Sequence, residues 1–258
     1  MVIPHAATEP YNRLGSPAAM LDKRGREHIY IDPDKPAYFV QQRSFTTSRG
    51  QYTNLIYRIH FTEVPVSLLP FHLTAGRNVG LLIIVTLDRE QRPLLITTVH
   101  TCGCYLAFTP TSHMPPDAFP EKWNMEGQTV FGMKLPGRVG WTGQDARPVI
   151  YLASGTHRVR DVRVMSINSL ATRYRIVAPA IQPMAALKHL PLGDGTTSFF
   201  ETDGPRKSYV KGSHKPWEFL LMSWWAWDAR IGDDKEYGDA AITGTIFYTD
   251  LKSPIGDR

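Results

Sequence analysis

Val79–Leu87 reads Val-Gly-Leu-Leu-Ile-Ile-Val-Thr-Leu, a stretch that is apolar at nearly every position and rich in β-branched residues. It is far shorter than the about 20 residues that a membrane-spanning helix needs. Side chains alternate between the two faces of a strand, so a strand that is apolar at successive positions must be covered on both faces. The stretch therefore predicts the central strand of a buried sheet.

The segments on either side of this stretch predict its neighbours in the sheet. Tyr52–Thr62 alternates between two faces, as a half-buried strand does. Ala37–Phe45 is predicted to pair with it in a hairpin that turns through Thr47–Gly50. On the other side, a polar turn leads to Pro93 and to one long predicted strand, Leu94–Phe108.

The rest of the chain predicts further short strands and a mainly β fold. Clusters of β-branched and aromatic residues predict strands at His28–Asp32, Gln128–Lys134, Pro148–Ala153, Val159–Ile167, Arg173–Ala178 and Ile242–Thr249. Pro110–Trp123 is predicted to be a loop, and Pro183–His189 one or two helical turns. Strand–helix–strand alternation is absent from the sequence, so we expect an antiparallel sandwich or a partly open barrel, with residues 1–258 as a single β-rich domain.

One helix is predicted, from Pro216 to about Arg230. Proline suits the first helical position, and Gly232 provides a stop. Apolar residues recur at helical spacing on one face, at Trp217, Leu220, Leu221 and Trp224. We expect this stripe to pack against the sheet as a Trp-rich amphipathic helix. The alternative is an aromatic surface for a partner, in which Trp225 and Trp227, which lie off the stripe, make the contacts.

Composition and missing motifs exclude several functional classes. Hydrophobic residues make up 42% of the 258 residues and charged residues 21%, which is typical of a folded soluble protein. The net charge is +5, but no block of Lys and Arg accompanies it, so we expect no nucleic-acid partner. The sequence has no glycine-rich phosphate loop and no Gly-x-Ser-x-Gly elbow. The N-terminus lacks a secretory signal, which predicts a cytoplasmic protein if the chain is complete.

The most unusual local sequence is His100-Thr-Cys102-Gly-Cys104, which holds both cysteines of the protein. On a strand these three side chains share one face, and imidazole and thiolate are ligands that Zn²⁺ and Cu⁺ prefer. Same-face neighbours on a strand are about 6.5–7 Å apart, too far for two sulfurs on one metal, although a bulge at Gly103 would bring them together. This pattern predicts a zinc or copper protein, or a metal-dependent enzyme acting on a small molecule.

Two further histidines, His72 and His157, lie at the ends of predicted strands and are candidates to complete this metal shell. Three other interpretations of the cysteines remain open: inert buried thiols, a strained disulfide between Cys102 and Cys104, and a reversible redox pair.

The second functional hypothesis is a non-enzymatic interaction or membrane-surface module that uses helix 216–230. Its binding surface would combine Trp225 and Trp227 with two cations at the helix entry, Lys211 and Lys215. The acidic stretch from Asp228 to Asp239 fails the spacing of a calcium-binding loop, so we predict a solvated acidic loop there.

Overall fold

The computed structural model describes residues 2–4 and 9–237, and the predicted strand Ile242–Thr249 lies outside them. The strands are β1 (Val2–Pro4), β2 (Ser16–Leu21), β3 (Glu27–Asp32), β4 (Ala37–Thr47), β5 (Gly50–Val64), β6 (Gly76–Leu87), β7 (Pro93–His100), β8 (Ala107–Pro110), β9 (Gln128–Val130), β10 (Met133–Leu135), β11 (Ala146–Leu152), β12 (Val159–Ser166), β13 (Ala180–Pro183), β14 (Leu190–Leu192) and β15 (Gly195–Thr197). The helices are α1 (Ile167–Arg173) and α2 (Pro216–Ala226). Short 3₁₀ turns lie at Pro10–Asn12, Pro116–Ala118, Met184–Lys188 and Gly204–Arg206.

The predicted central strand is confirmed as β6. It lies inside a six-stranded sheet of order β13-β4-β5-β6-β7-β8, and every residue from Asn78 to Leu87 is buried. The predicted hairpin is also confirmed, because β4 pairs with β5 in antiparallel register up to the pair Thr47 and Gly50.

Both faces of this sheet are covered, which explains the nearly continuous apolar sequence of β6. On one face, Leu81 and Ile83 belong to a core cluster that also contains Ile150 and Val162 of the antiparallel pair β11–β12. On the other face, Leu82 and Ile84 lie in a smaller cluster against which Met184 and Tyr237 pack. Within residues 2–4 and 9–237 the six-stranded sheet is open, with β13 and β8 at its edges, so the mainly β, sandwich-like prediction is confirmed.

Two predicted strands are wrong, each because a local backbone signal outweighs β propensity. Gln128–Lys134 is not one strand but a tight hairpin of β9 and β10, turned through Phe131 and Gly132 at positive φ. Arg173–Ala178 is not a strand, because α1 runs to Arg173 and the chain is irregular up to β13. The hydroxyl of Ser166 caps α1 by accepting a hydrogen bond from the Ser169 amide.

Helix α2 ends at Ala226, earlier than predicted, because Trp227 adopts the left-handed conformation with φ +50°. The predicted packing of its apolar stripe holds only for the first turn. Trp217 packs against the main core cluster, whereas Leu220, Leu221 and Trp224 are exposed. The helix is therefore anchored at its N-terminal end and leaves most of its apolar surface uncovered by the described residues.

Candidate functional site

The Cys102-Gly103-Cys104 segment is a turn and not part of a strand. The predicted strand Leu94–Phe108 is interrupted after β7 and resumes as β8, with residues 101–106 forming the connection. The Gly103 amide donates to the His100 carbonyl oxygen at 2.7 Å, and the His100 amide donates to the Cys104 carbonyl oxygen at 3.0 Å. Gly103 and Tyr105 both have positive φ, whereas residues of a regular β-strand have negative φ.

Because the segment turns, His100 does not join the two thiols in the predicted metal shell. Its Nε2–H donates to the carbonyl oxygen of His157 at 3.1 Å, and its ring makes an edge contact with Tyr105. Among the residues that the structure describes, no three His, Cys, Asp or Glu side chains are grouped so that they could hold a metal ion. The zinc or copper site predicted from His100, Cys102 and Cys104 is therefore not assembled in this structure.

The two histidines predicted to complete the shell make structural hydrogen bonds instead. The Nδ1–H of His72 donates to the Pro65 carbonyl oxygen at 3.0 Å. His157 is buried, stacks on Phe61 with ring centroids 4.1 Å apart, and donates from Nε2 to the Tyr11 carbonyl oxygen. Burial lowers the pKa of His157 to about 3, so its ring is neutral at physiological pH.

His100 is neutral for the same reason. Its ring is 5% exposed, and burial, reinforced by the charge of Lys215, lowers its pKa to about 3. A neutral imidazole whose Nε2–H is already committed to a backbone carbonyl holds the turn in place. His100 and His157 therefore link the β7–β8 turn to the segment that precedes β12.

The two thiols are close to each other and partly accessible. Neither is in a disulfide, and both are half-buried, while Gly103 between them is exposed. Hydrogen bonding between the two thiols lowers the pKa of the Cys104 thiol and raises that of the Cys102 thiol. The two sulfurs therefore differ in acidity although they lie in one turn.

A buried ion pair that the sequence did not reveal lies next to the thiols. Lys215 and Asp234 are 2% and 1% exposed, and Lys215 Nζ lies 3.2 Å from Asp234 Oδ2. The other carboxylate oxygen accepts hydrogen bonds from the Thr101 hydroxyl and from the Gly80 amide at 3.4 Å. Burial alone would lower the pKa of Lys215, but the negative charge of Asp234 opposes this effect and the pKa is raised.

Two acidic residues extend this buried cluster. Glu218, in the first turn of α2, is 4% exposed, and burial raises the pKa of its carboxyl group. A Cβ atom at Gly232 would lie 1.1 Å from Glu218 Oε2, so only glycine leaves room for this carboxylate. Asp233 is 1% exposed and forms an ion pair with Arg206 at 3.0 Å. The predicted solvated acidic loop is therefore wrong at Asp233 and Asp234.

Both cations predicted at the entry to α2 have acidic partners. Lys215 lies in the buried ion pair with Asp234. The Nζ of Lys211 is 2.7 Å from Glu27, and its side chain is only 19% exposed. Neither cation is therefore a free charge on the surface. Pairing with an acidic group offsets the desolvation cost of burying a lysine ammonium group.

The aromatic part of the predicted surface, in contrast, is exposed. Trp224, Trp225 and Trp227 are 81%, 88% and 95% exposed, which are unusual values for the largest apolar side chain. The loop before β6 is apolar and exposed as well. The rings of Phe71 in this loop and Trp217 in α2 are 5.8 Å apart, so the two segments adjoin. We call this the Trp surface; its exposed members are Val66, Leu68, Leu69, Phe71, Phe219, Leu220, Leu221, Met222, Trp224, Trp225 and Trp227.

A separate apolar cleft of about 370 Å³ lies between the six-stranded sheet and β11. Tyr57 and Ile83 line it from the sheet, and Trp141 and Ile150 from the opposite side. Burial raises the pKa of Tyr57, so its hydroxyl stays protonated. The cleft is lined by neutral side chains and by Arg147, and it lacks the titratable cluster that surrounds the thiols.

Sequence reasoning singled out the two thiols and the exposed tryptophans but missed Lys215–Asp234 and Glu218 as one buried cluster. Gly232, which makes room for Glu218, was the available signal, but its role depends on a tertiary contact.

Comparison with known proteins adds no functional information: no family model matches this sequence, and no curated protein and no solved structure shows significant similarity to it.

Proposed function

We propose that this protein binds to the interface of a lipid bilayer through the Trp surface. The observation that carries the proposal is the exposure of three tryptophans at the end of α2, 81–95%, beside a loop whose apolar residues Val66–Phe71 are exposed as well. Monomeric soluble proteins rarely leave such a contiguous apolar patch in water. Tryptophan is also the residue enriched at the boundary between lipid headgroups and acyl chains.

The distribution of apolar residues around α2 favours a bilayer over a single protein partner. Phe219–Met222 and Trp224–Trp225 are exposed at successive positions, so apolar side chains surround the helix and do not form one stripe. A partner docked on one face would leave the other faces in water. Lipid surrounds an inserted helix on every side.

The length of α2 limits how far it can insert. Its 11 residues extend about 16 Å, roughly half of the about 30 Å hydrocarbon thickness of a bilayer. No helix among the described residues is long and apolar enough to cross a membrane. The proposed mode is therefore insertion of the helix end and the Val66–Phe71 loop into one leaflet.

The ion pairs of Lys211 and Lys215 predict the type of lipid that is bound. Since acidic side chains already neutralise both cations, binding depends on apolar contact and does not require anionic lipids. We therefore expect binding to neutral phosphatidylcholine vesicles, with little change between about 0.05 and about 0.5 M salt.

Vesicle flotation tests this proposal. Wild-type protein should float with phosphatidylcholine vesicles, and the double variant Trp225→Ala, Trp227→Ala should lose binding by at least about a hundredfold, because each buried tryptophan contributes on the order of 2 kcal/mol. Ile181→Ala is the matched control, since Ile181 is 71% exposed on the edge strand β13.

Two outcomes would contradict the proposal. One is a wild-type protein that stays at the bottom of the gradient, or a double variant that floats equally well. The other is sedimentation of the wild-type chain as a dimer that the double variant converts to monomer, which would assign the Trp surface to contact between two copies.

A further inference from the structure

We propose that Cys102 and Cys104 form a dithiol that reduces disulfide substrates, with Cys104 as the attacking thiolate and Cys102 as the resolving thiol. This inference is independent of membrane binding. It rests on the turn geometry, on the accessibility of the two sulfurs and on the buried charges beneath them.

The turn carries both thiols on half-buried residues, one on each side of the exposed Gly103. Backbone hydrogen bonds between His100, Gly103 and Cys104 fix its conformation, and the exposed Gly103 gives a substrate access to its tip. Cys102 and Cys104 lie one residue apart in this turn, and each thiol shifts the pKa of the other. Formation of an intramolecular disulfide would therefore join two neighbouring side chains of one turn.

The surroundings of the turn distinguish the two sulfurs. Hydrogen bonding with Cys102 lowers the pKa of Cys104, and the Lys215 ammonium group also favours its thiolate, against burial and the charges of Glu218 and Asp234. The pKa of the Cys102 thiol is raised, so this residue remains a protonated donor. Low-pKa, partly exposed thiols with a neighbouring second thiol are the ones that undergo exchange.

Buried polar groups beneath the turn support a site that performs chemistry. Glu218 Oε2 is a buried atom without a hydrogen-bond partner among the described residues, and Glu218 is only 4% exposed. A Cβ atom on Gly103 would lie 3.1 Å from the Tyr237 hydroxyl, so this phenol adjoins the turn. Burial raises the pKa of Tyr237, which therefore keeps its proton as a donor.

The proposed reaction has two steps. The Cys104 thiolate attacks one sulfur of a substrate disulfide, which gives a mixed disulfide and expels the other substrate sulfur as a thiolate. The Cys102 sulfur then attacks the Cys104 sulfur and releases the second substrate thiol, to which its proton passes. Overall, two electrons move from the dithiol to the substrate disulfide, and the protein ends as the Cys102–Cys104 disulfide.

Equilibration with glutathione redox mixtures tests this reaction. The full chain, kept free of metal with a chelator, is incubated at a series of reduced-to-oxidised ratios, quenched with acid, and its remaining thiols are alkylated and counted by mass. We expect both thiols to disappear together into an intramolecular disulfide, without a persistent glutathione adduct. A wild-type protein that keeps two thiols in fully oxidised glutathione, or that carries glutathione on both cysteines, would overturn the proposal.

Single variants test the roles of the two sulfurs. Cys102→Ser should accumulate a mixed disulfide between Cys104 and glutathione, because the resolving thiol is absent. Cys104→Ser should react on the order of tenfold more slowly at Cys102. Equal rates for the two variants would contradict the assigned roles. The wild-type thiol count remains decisive if either variant fails to fold.

Discussion

Lys215 and Asp234 are held by interactions that only the folded chain provides. The Asp234 carboxylate accepts hydrogen bonds from the Thr101 hydroxyl in the β7–β8 turn and from the Gly80 amide in β6. It also pairs with the Lys215 ammonium group at the start of α2. Three segments that are distant in sequence therefore meet at one carboxylate. At the scale of single residues, this pair should matter more for stability than any surface ion pair, because a buried charge that loses its partner remains desolvated.

Lys215→Met tests this point. The variant leaves Asp234 buried without its partner, so we expect the free energy of unfolding in urea to fall by about 3–5 kcal/mol. Lys35→Met is the matched control, because the side chain of Lys35 is 79% exposed in its surface pair with Asp32; its loss should be about 1 kcal/mol or less. Equal losses in the two variants would show that the Lys215–Asp234 pair is not buried as described.

Glu218 predicts a pH dependence of stability. Burial raises the pKa of this carboxyl in the folded state above its ordinary value of 4.5. The folded state therefore holds the proton more tightly than the unfolded state, and stability is lost as the pH rises through the folded-state pKa. Glu218→Gln removes this titration.

Urea unfolding between about pH 4 and pH 8 measures the effect. Relative to Glu218→Gln, wild type should become less stable with increasing pH across this window. The same substitution at the exposed Glu126 is the control. If the stability difference between wild type and Glu218→Gln does not change with pH, Glu218 has the same pKa in the folded and unfolded states, which contradicts the prediction.

At the scale of elements, the two ends of α2 lie in different environments. Its first turn is inside the molecule, where Glu218 joins the charge cluster and Trp217 packs against the core. Its remaining turns carry the Trp surface. Helix formation alone does not decide between these environments, because the apolar residues surround the axis and favour no single face.

Trp227→Gly separates stability from binding at the end of α2. Trp227 has φ +50°, a conformation that costs a non-glycine residue about 1–2 kcal/mol, and its 95% exposed side chain adds little packing. We expect the free energy of unfolding to stay equal or to rise by about 1 kcal/mol, while vesicle binding weakens about tenfold or more.

The control for this variant is Trp225→Gly, two residues earlier and inside the helix, where glycine should cost about 1 kcal/mol of stability. In thermal or urea unfolding, Trp225→Gly should lose stability and Trp227→Gly should not. A loss of stability at both positions would contradict the assigned end of α2.

At the scale of the whole molecule, the sheet brings the two candidate sites close to each other. The β7–β8 turn meets the residues that surround Asp234, since Lys235 donates its amide to the Thr101 carbonyl oxygen. Lys215 at the start of α2 completes the contact through Asp234. The turn that carries Cys102 and Cys104 and the start of α2, which leads into the Trp surface, therefore contact the same buried charge cluster.

The sequence by itself determined the sheet around Val79–Leu87, the hairpin before it and the presence of α2, because alternation, propensity and helix caps are local properties. It also singled out Cys102, Cys104 and the tryptophans as unusual. Only the tertiary structure decided that His100 turns away from the thiols, that Lys215 is buried and that Trp224 is exposed. These outcomes depend on which distant segment supplies a hydrogen-bond acceptor, an opposite charge or a covering surface, and periodicity along one segment carries no information about that segment's partners.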